Sequence, residues 1–94
     1  MKITVELTGV ARSIARQKII EFSLGETDTY QDIIRELARR YPALIGILID
    51  ADGETFLSAN MFIINGNMTT TAMVLHEKPH DVDRLILMSL VTGG

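Results

Sequence analysis

The chain has 94 residues, 12 of them acidic and nine basic, for a formal net charge of −3; 47% are apolar and none is cysteine. That length suits one domain with a single modest core. The lack of cysteine excludes disulfides, thiolate nucleophiles and thiolate metal sites, and the negative charge gives no electrostatic reason to bind nucleic acid. No apolar run approaches the ~18 to 20 residues that cross a bilayer. The opening MKITVELTGV alternates where a signal peptide is continuously apolar. The expectation is a soluble, cytoplasmic protein with neither nucleic acid nor membrane as partner.

From Lys2 to Thr8 the side chains alternate, with Ile3, Val5 and Leu7 on one face and Thr4, Glu6 and Thr8 on the other. This is the period of a half-buried strand, and Gly9 ends it. After a connection containing Arg12 and Arg16, QKIIEFSL alternates again with Ile20, Phe22 and Leu24 inward, and Gly25 closes the segment. The two strands are expected to pair antiparallel. In TDTYQDIIRELARRYP the period changes: Ile33, Ile34, Leu37, Ala38 and Tyr41 follow helical spacing, Thr29 with Asp32 resembles a capping box, and Pro42 stops the run. Arg35, Glu36, Arg39 and Arg40 fall on the opposite, solvated face. ALIGILI reads as a short helix or turn. MFIING reads as a strand ending at Asn65-Gly66, a dipeptide favoured in tight hairpins. RLILMSLV reads as the last strand, apolar on both faces as for a strand covered on more than one side.

The order strand, strand, helix, irregular middle, strand, last strand puts one helix over one face of a mixed sheet, a two-layer α+β arrangement. If the first and last strands lie adjacent and parallel at the sheet centre, the architecture is the β-grasp. The whole chain, 1–94, is then one such domain with a flexible tail over about 90–94.

Among candidate sites, DADGE (Asp50–Glu54) clusters three carboxylates, but TFLSAN does not continue the twelve-residue ligand pattern of a calcium loop. An acidic turn is the reading adopted. In HEKPH, Pro79 argues against the helix that would put His76 and His80 on one face, so no metal site is assigned. Ser13, Ser23, Ser58 and Ser89 sit in no nucleophile elbow, and no Gly-rich phosphate cradle is present. A self-contained enzyme is not expected. The methionines Met61, Met68, Met73 and Met88 read chiefly as core filler.

The segment Leu90–Gly94 remains. Extended at ~3.3 Å per residue it reaches about 17 Å past the last strand, far enough to enter another protein's active site. Gly93 and Gly94 carry no side chains, so they pass a narrow channel and leave a Gly94 carboxylate accessible. Leu90, Val91 and Thr92 would line that entry. Met61, Phe62 and Met88, in the apolar strands beside the tail, are the candidates for a partner surface, since interface cores favour apolar residues.

In element order, in IIRELARRYPAL as helix and exit, in IING before a hairpin and in VTGG as the tail, the chain resembles the MoaD/ThiS family of ubiquitin-like sulfur carriers. The resemblance implies a β-grasp fold whose terminal glycine, here Gly94, is adenylated by an ATP-using activating enzyme and converted to a thiocarboxylate. It implies no bound cofactor, the ATP being the partner's. The MoaD branch further implies the large subunit of molybdopterin synthase as a partner. Where that branch commonly has a Gly-Asp-Glu-Val turn and a Pro-Pro pair, this chain has VDRL and SL; Asp83 and Val91 match, and 76–82 is longer than usual. Other readings with the same activated end are a protein modifier joined to lysines, or sulfur supply to thiamine or to thiolated tRNA. A non-catalytic binding module would need neither glycine.

Overall fold

The computed structural model describes residues 2–57, 60–69, 75–79 and 84–89, with backbone only at 60–62, 67–69, 88 and 89. Strand β1 spans Lys2–Leu7, and the predicted alternation places Ile3, Val5 and Leu7 in the core, each at most 1% exposed. Helix α1 (Gly9–Ala15) follows, then β2 (Ile19–Ser23), α2 (Tyr30–Arg40), a 3-10 turn at Pro42–Leu44, β3 (Asn60–Ile64), β4 (Asn67–Thr69) and β5 (Arg84–Ser89). The five strands form one sheet in the order β2-β1-β5-β3-β4. β1 and β5 run parallel, with Val5 opposite Leu85 and Leu7 opposite Leu87; every other strand pair is antiparallel. The expected parallel pair at the sheet centre is therefore present, and with it the β-grasp.

Ile33, Ile34, Leu37 and Ala38 of α2 are buried against the inward side chains Ile20, Phe22, Leu85 and Leu87. The helix starts at the expected capping box: the Thr29 N–H donates to Asp32 Oδ2 at 2.7 Å. Two more of its first N–H groups are satisfied from outside, Tyr30 by the Glu77 carbonyl and Gln31 by that of Leu75, both at 3.0 Å. The segment 75–79 is thus a cap for α2, with His76 exposed; His80 lies outside the described residues.

Three elements differ from the sequence reading. The connection between β1 and β2 contains α1, which buries Ala11 and Ala15 and packs the half-buried Ile14 against the core. At seven residues it offers a single apolar repeat, too short to show as helical periodicity in the sequence. The closing strand is apolar on two faces in sequence, yet Leu85 and Leu87 are buried while Ile86 is half-buried and Arg84 exposed, because the helical layer covers one sheet face. A further strand, β4, three residues long, follows the Asn65-Gly66 turn and pairs with β3. Its turn residues Asn65 and Gly66 both have positive φ, 50° and 86°, the pairing required by a type I′ hairpin. The stretch after α2 becomes the expected short helical turn, with Leu44, Leu48 and Ile49 buried and Ile45 and Ile47 exposed.

Candidate functional site at the end of the central strand

β5 sits between β1 and β3, so its backbone is bonded on both sides. Being parallel to β1, it delivers its C-terminal end to the side of the sheet where β1 runs into α1. There the Thr8 hydroxyl donates to the Leu87 carbonyl at 2.7 Å, and α1 packs against both β5 and the Pro42–Leu44 turn. Thr8 escaped sequence reasoning because its partner is 79 residues away. The consequence is a rigid base for whatever follows Ser89. Leu90, Val91, Thr92, Gly93 and Gly94 lie outside the described residues.

The register separates the three strand positions proposed as a partner surface. Met61 is opposite Met88, whereas Phe62 is opposite Leu87, whose side chain is in the core. Positions 61 and 88 are two residues along from Ile63 and Ile86, which face one another and are half-buried. On this outer face a groove of ≈ 570 Å³ is lined by Thr4, Glu6, Ile19, Arg84 and Ile86 with the Asn65-Gly66 turn. Ile19 is 51% exposed there, an apolar surface residue that alternation alone marks only as outward.

A second depression, ≈ 470 Å³, lies between β2 and α2 and is lined by Phe22, Leu24, Arg35, Glu36, Arg39 and Arg40 among others. Its charges are mutually satisfied. Arg35 bonds Asp32 and Glu54, each at 3.0 Å; Glu36 accepts from Arg39 and, at 3.0 Å, from Arg40; and the Arg40 guanidinium lies 4.7 Å from the Phe22 ring centroid. The Arg39 and Arg40 hydrogen bonds hold the Glu36 carboxyl down from its ordinary value of 4.5 to about 2. The Thr29 backbone N–H is the main cause of a lowered Asp32 pKa, with the Thr29 hydroxyl and Arg35 adding to it. This is the self-neutralised, solvated helix face expected from the sequence. The acidic turn is likewise closed on itself: Asp52 Oδ1 accepts the N–H groups of Glu54 and Thr55 at 2.8 and 3.1 Å. Among the described residues no three His, Asp or Glu side chains converge as metal ligands would. Nor, among them, is any helix long and apolar enough to cross a membrane.

No protein-family description and no curated protein matches the chain in sequence. Solved structures do match in fold. The small archaeal modifier protein SAMP1 of Haloferax volcanii superposes with a TM-score of 0.81 at 22% identity, covering 100% of both chains. SAMP1 of Methanosarcina acetivorans gives 0.77 at 26% identity, over 99% of this chain and 96% of that one. A putative molybdopterin converting factor subunit 1 from Pyrococcus furiosus gives 0.72 at 21%, over 97% and 99%. The chain thus has the β-grasp fold of the ubiquitin-like proteins, and its structural neighbours are those of the ThiS/MoaD-like family.

Proposed function

We propose that the protein is a ubiquitin-like carrier activated at Gly94. The observation that carries this reading is the placement of Val91-Thr92-Gly93-Gly94 five residues or fewer past a central parallel strand, in a fold shared over its full length with modifier and converting-factor proteins. In the proposed reaction the Gly94 carboxylate attacks the α-phosphorus of ATP held by an activating enzyme. Pyrophosphate leaves and an acyl adenylate forms. A sulfide-level sulfur nucleophile then attacks the acyl carbon and expels AMP, leaving a thiocarboxylate. The domain's own part is mechanical: β5 and its Thr8 bond fix the root of the tail, and the two glycines admit it to the partner's site.

The sulfur so carried is proposed to go to molybdopterin synthesis, with the large synthase subunit as recipient, a reading supported by the likeness to the Pyrococcus protein. The likeness to the modifier proteins favours a second use of the same adenylate, acyl transfer to lysines of other proteins. Intact-mass analysis of the protein isolated from its native cell tests both. An oxygen-to-sulfur replacement located on Gly94 supports the carrier. A Gly-Gly remnant on lysines of other proteins, without the sulfur form, supports the modifier. Absence of both, with no ATP-dependent adenylation by any enzyme of that cell, overturns the proposal.

A further inference from the structure

Charge in this chain is segregated. Residues 8–18, TGVARSIARQK, hold Arg12, Arg16 and Lys18 and no acid, leaving six basic residues against twelve acidic ones in the rest of the chain. All three cations are exposed. Among the described residues no ion pair reaches them, whereas Lys2, Arg35, Arg39 and Arg40 are each paired to a carboxylate. Arg12 lies in the last turn of α1, where the helix dipole favours a cation; Arg16 instead stands at a strained backbone position. Arg16 ends α1 with φ 57° and ψ 30°, a left-handed conformation in which glycine or asparagine is the less strained residue.

This cationic element stands where the tail begins. Leu7 pairs with Leu87, Thr8 bonds the Leu87 carbonyl, and α1 packs on β5. A protein that takes up the segment after Ser89 has to close around that end of the sheet, and α1 with the start of β2 is part of what it meets. We propose that Arg12, Arg16 and Lys18 form a docking surface for an acidic protein face, the rim of the site that activates the tail. The inference rests on the proposed function. Three exposed cations with no ion pair among the described residues gain from a partner at the encounter stage, since complementary charge across an interface rim raises the association rate and fades with added salt. Among the described residues no ion pair has to be given up on docking, in contrast to the arginines of α2.

The test uses the full chain and the enzyme found to adenylate it. Association is measured at low and at near-physiological salt for the wild type, for the triple variant Arg12→Glu/Arg16→Glu/Lys18→Glu, and for Lys78→Glu. Lys78 is an exposed cation on the segment that caps the far end of α2. The triple variant is expected to associate at least tenfold more slowly at low salt, with a flatter salt dependence, while Lys78→Glu behaves as wild type. Each variant is expected to unfold in a single cooperative melt because the replaced side chains are exposed, the triple variant at a slightly lower temperature since Glu at the C-terminal end of α1 opposes the helix dipole. Equal association of the triple variant and wild type overturns the inference, as does an equal loss in Lys78→Glu. A loss of binding to a duplex RNA probe without any change toward the enzyme would reassign the surface to nucleic acid. If no enzyme adenylates the wild type, the proposed function has failed and this inference falls with it. If the wild type is adenylated and the triple variant is unimpaired, only the surface assignment fails.

Discussion

Leu37 is fully buried on the inward face of α2, and the exposed arginines two residues to either side show how sharply that face is defined. Replacing it by Ala removes buried methyl groups and leaves a cavity, so a loss of about 2 to 5 kcal/mol is expected in denaturant unfolding; a change within ~0.5 kcal/mol, the range of surface substitutions, would contradict the packing. The neighbouring carboxylates give the fold an acid limit. Glu36 is held down to about 2 by Arg39 and Arg40, and Asp32 is lowered by Thr29 and Arg35. A carboxyl whose folded pKa is below its unfolded value adds stability that is complete above the unfolded pKa and is lost as pH falls through the folded one. For Glu36 that window runs from 4.5 down to about 2. Glu36→Gln is therefore expected to flatten the decline of the melting temperature across that window and to leave its shape above pH 6 unchanged.

At the scale of elements, the β3–β4 hairpin isolates one conformational requirement. Gly66 has φ 86°, and a Cβ added there would meet no atom within 4 Å. Gly66→Ala thus costs only what a left-handed conformation costs an L-residue, about 1 to 2 kcal/mol, and denaturant titration should find a loss of that size with an unchanged m-value. Asn65 beside it tolerates φ 50° and accepts the Arg84 N–H on its side-chain oxygen at 2.9 Å, tying the turn to β5. Turn and strand could be read from the sequence because Asn-Gly is a strong local signal. β1 and α2 could be read for a similar reason, each having a complete apolar period and, in α2, a capping box and Pro42. α1 could not: in seven residues Ala11, Ile14 and Ala15 make one apolar repeat, two of its members small, and what holds the helix is its packing on β5 and the Pro42–Leu44 turn. The 42–49 segment was half readable. Its apolar run signals burial, but only tertiary contacts decide that Leu44, Leu48 and Ile49 go inward while Ile45 and Ile47 stay out. The candidate site divides along the same line. The two glycines are visible as letters, while the Thr8 bond to Leu87 and the opposition of Met61 to Met88 depend on pairings between distant segments.

For the whole molecule, stability and the proposed activity reside in separate stretches of chain. The described core runs from Ile3 to Leu87, and the reactive end proposed here lies beyond it. Deleting Gly94 should therefore leave the melting temperature unchanged while abolishing activation. The argument is geometric. The carboxylate has to reach the α-phosphorus of a nucleotide fixed in another protein, and a displacement of about 1 Å at a reacting centre can cost ~10²-fold in rate. Losing one extended residue retracts the end by ~3.3 Å. The root cannot advance to compensate, because β5 is hydrogen-bonded to β1 and β3 and the Leu87 carbonyl is held by Thr8. Adding residues after Gly94 fails for a chemical reason, since the carboxylate is then a peptide carbonyl that ATP-dependent adenylation does not use. Gly93→Ala should fold as well as wild type and slow activation through one added Cβ in the partner's channel. Pyrophosphate release with the activating enzyme, measured beside a thermal melt of each variant, reads all three. Wild-type adenylation by the Gly94 deletion would remove the basis for both carrier and modifier, since both readings require the Gly94 carboxylate to be the group that is activated.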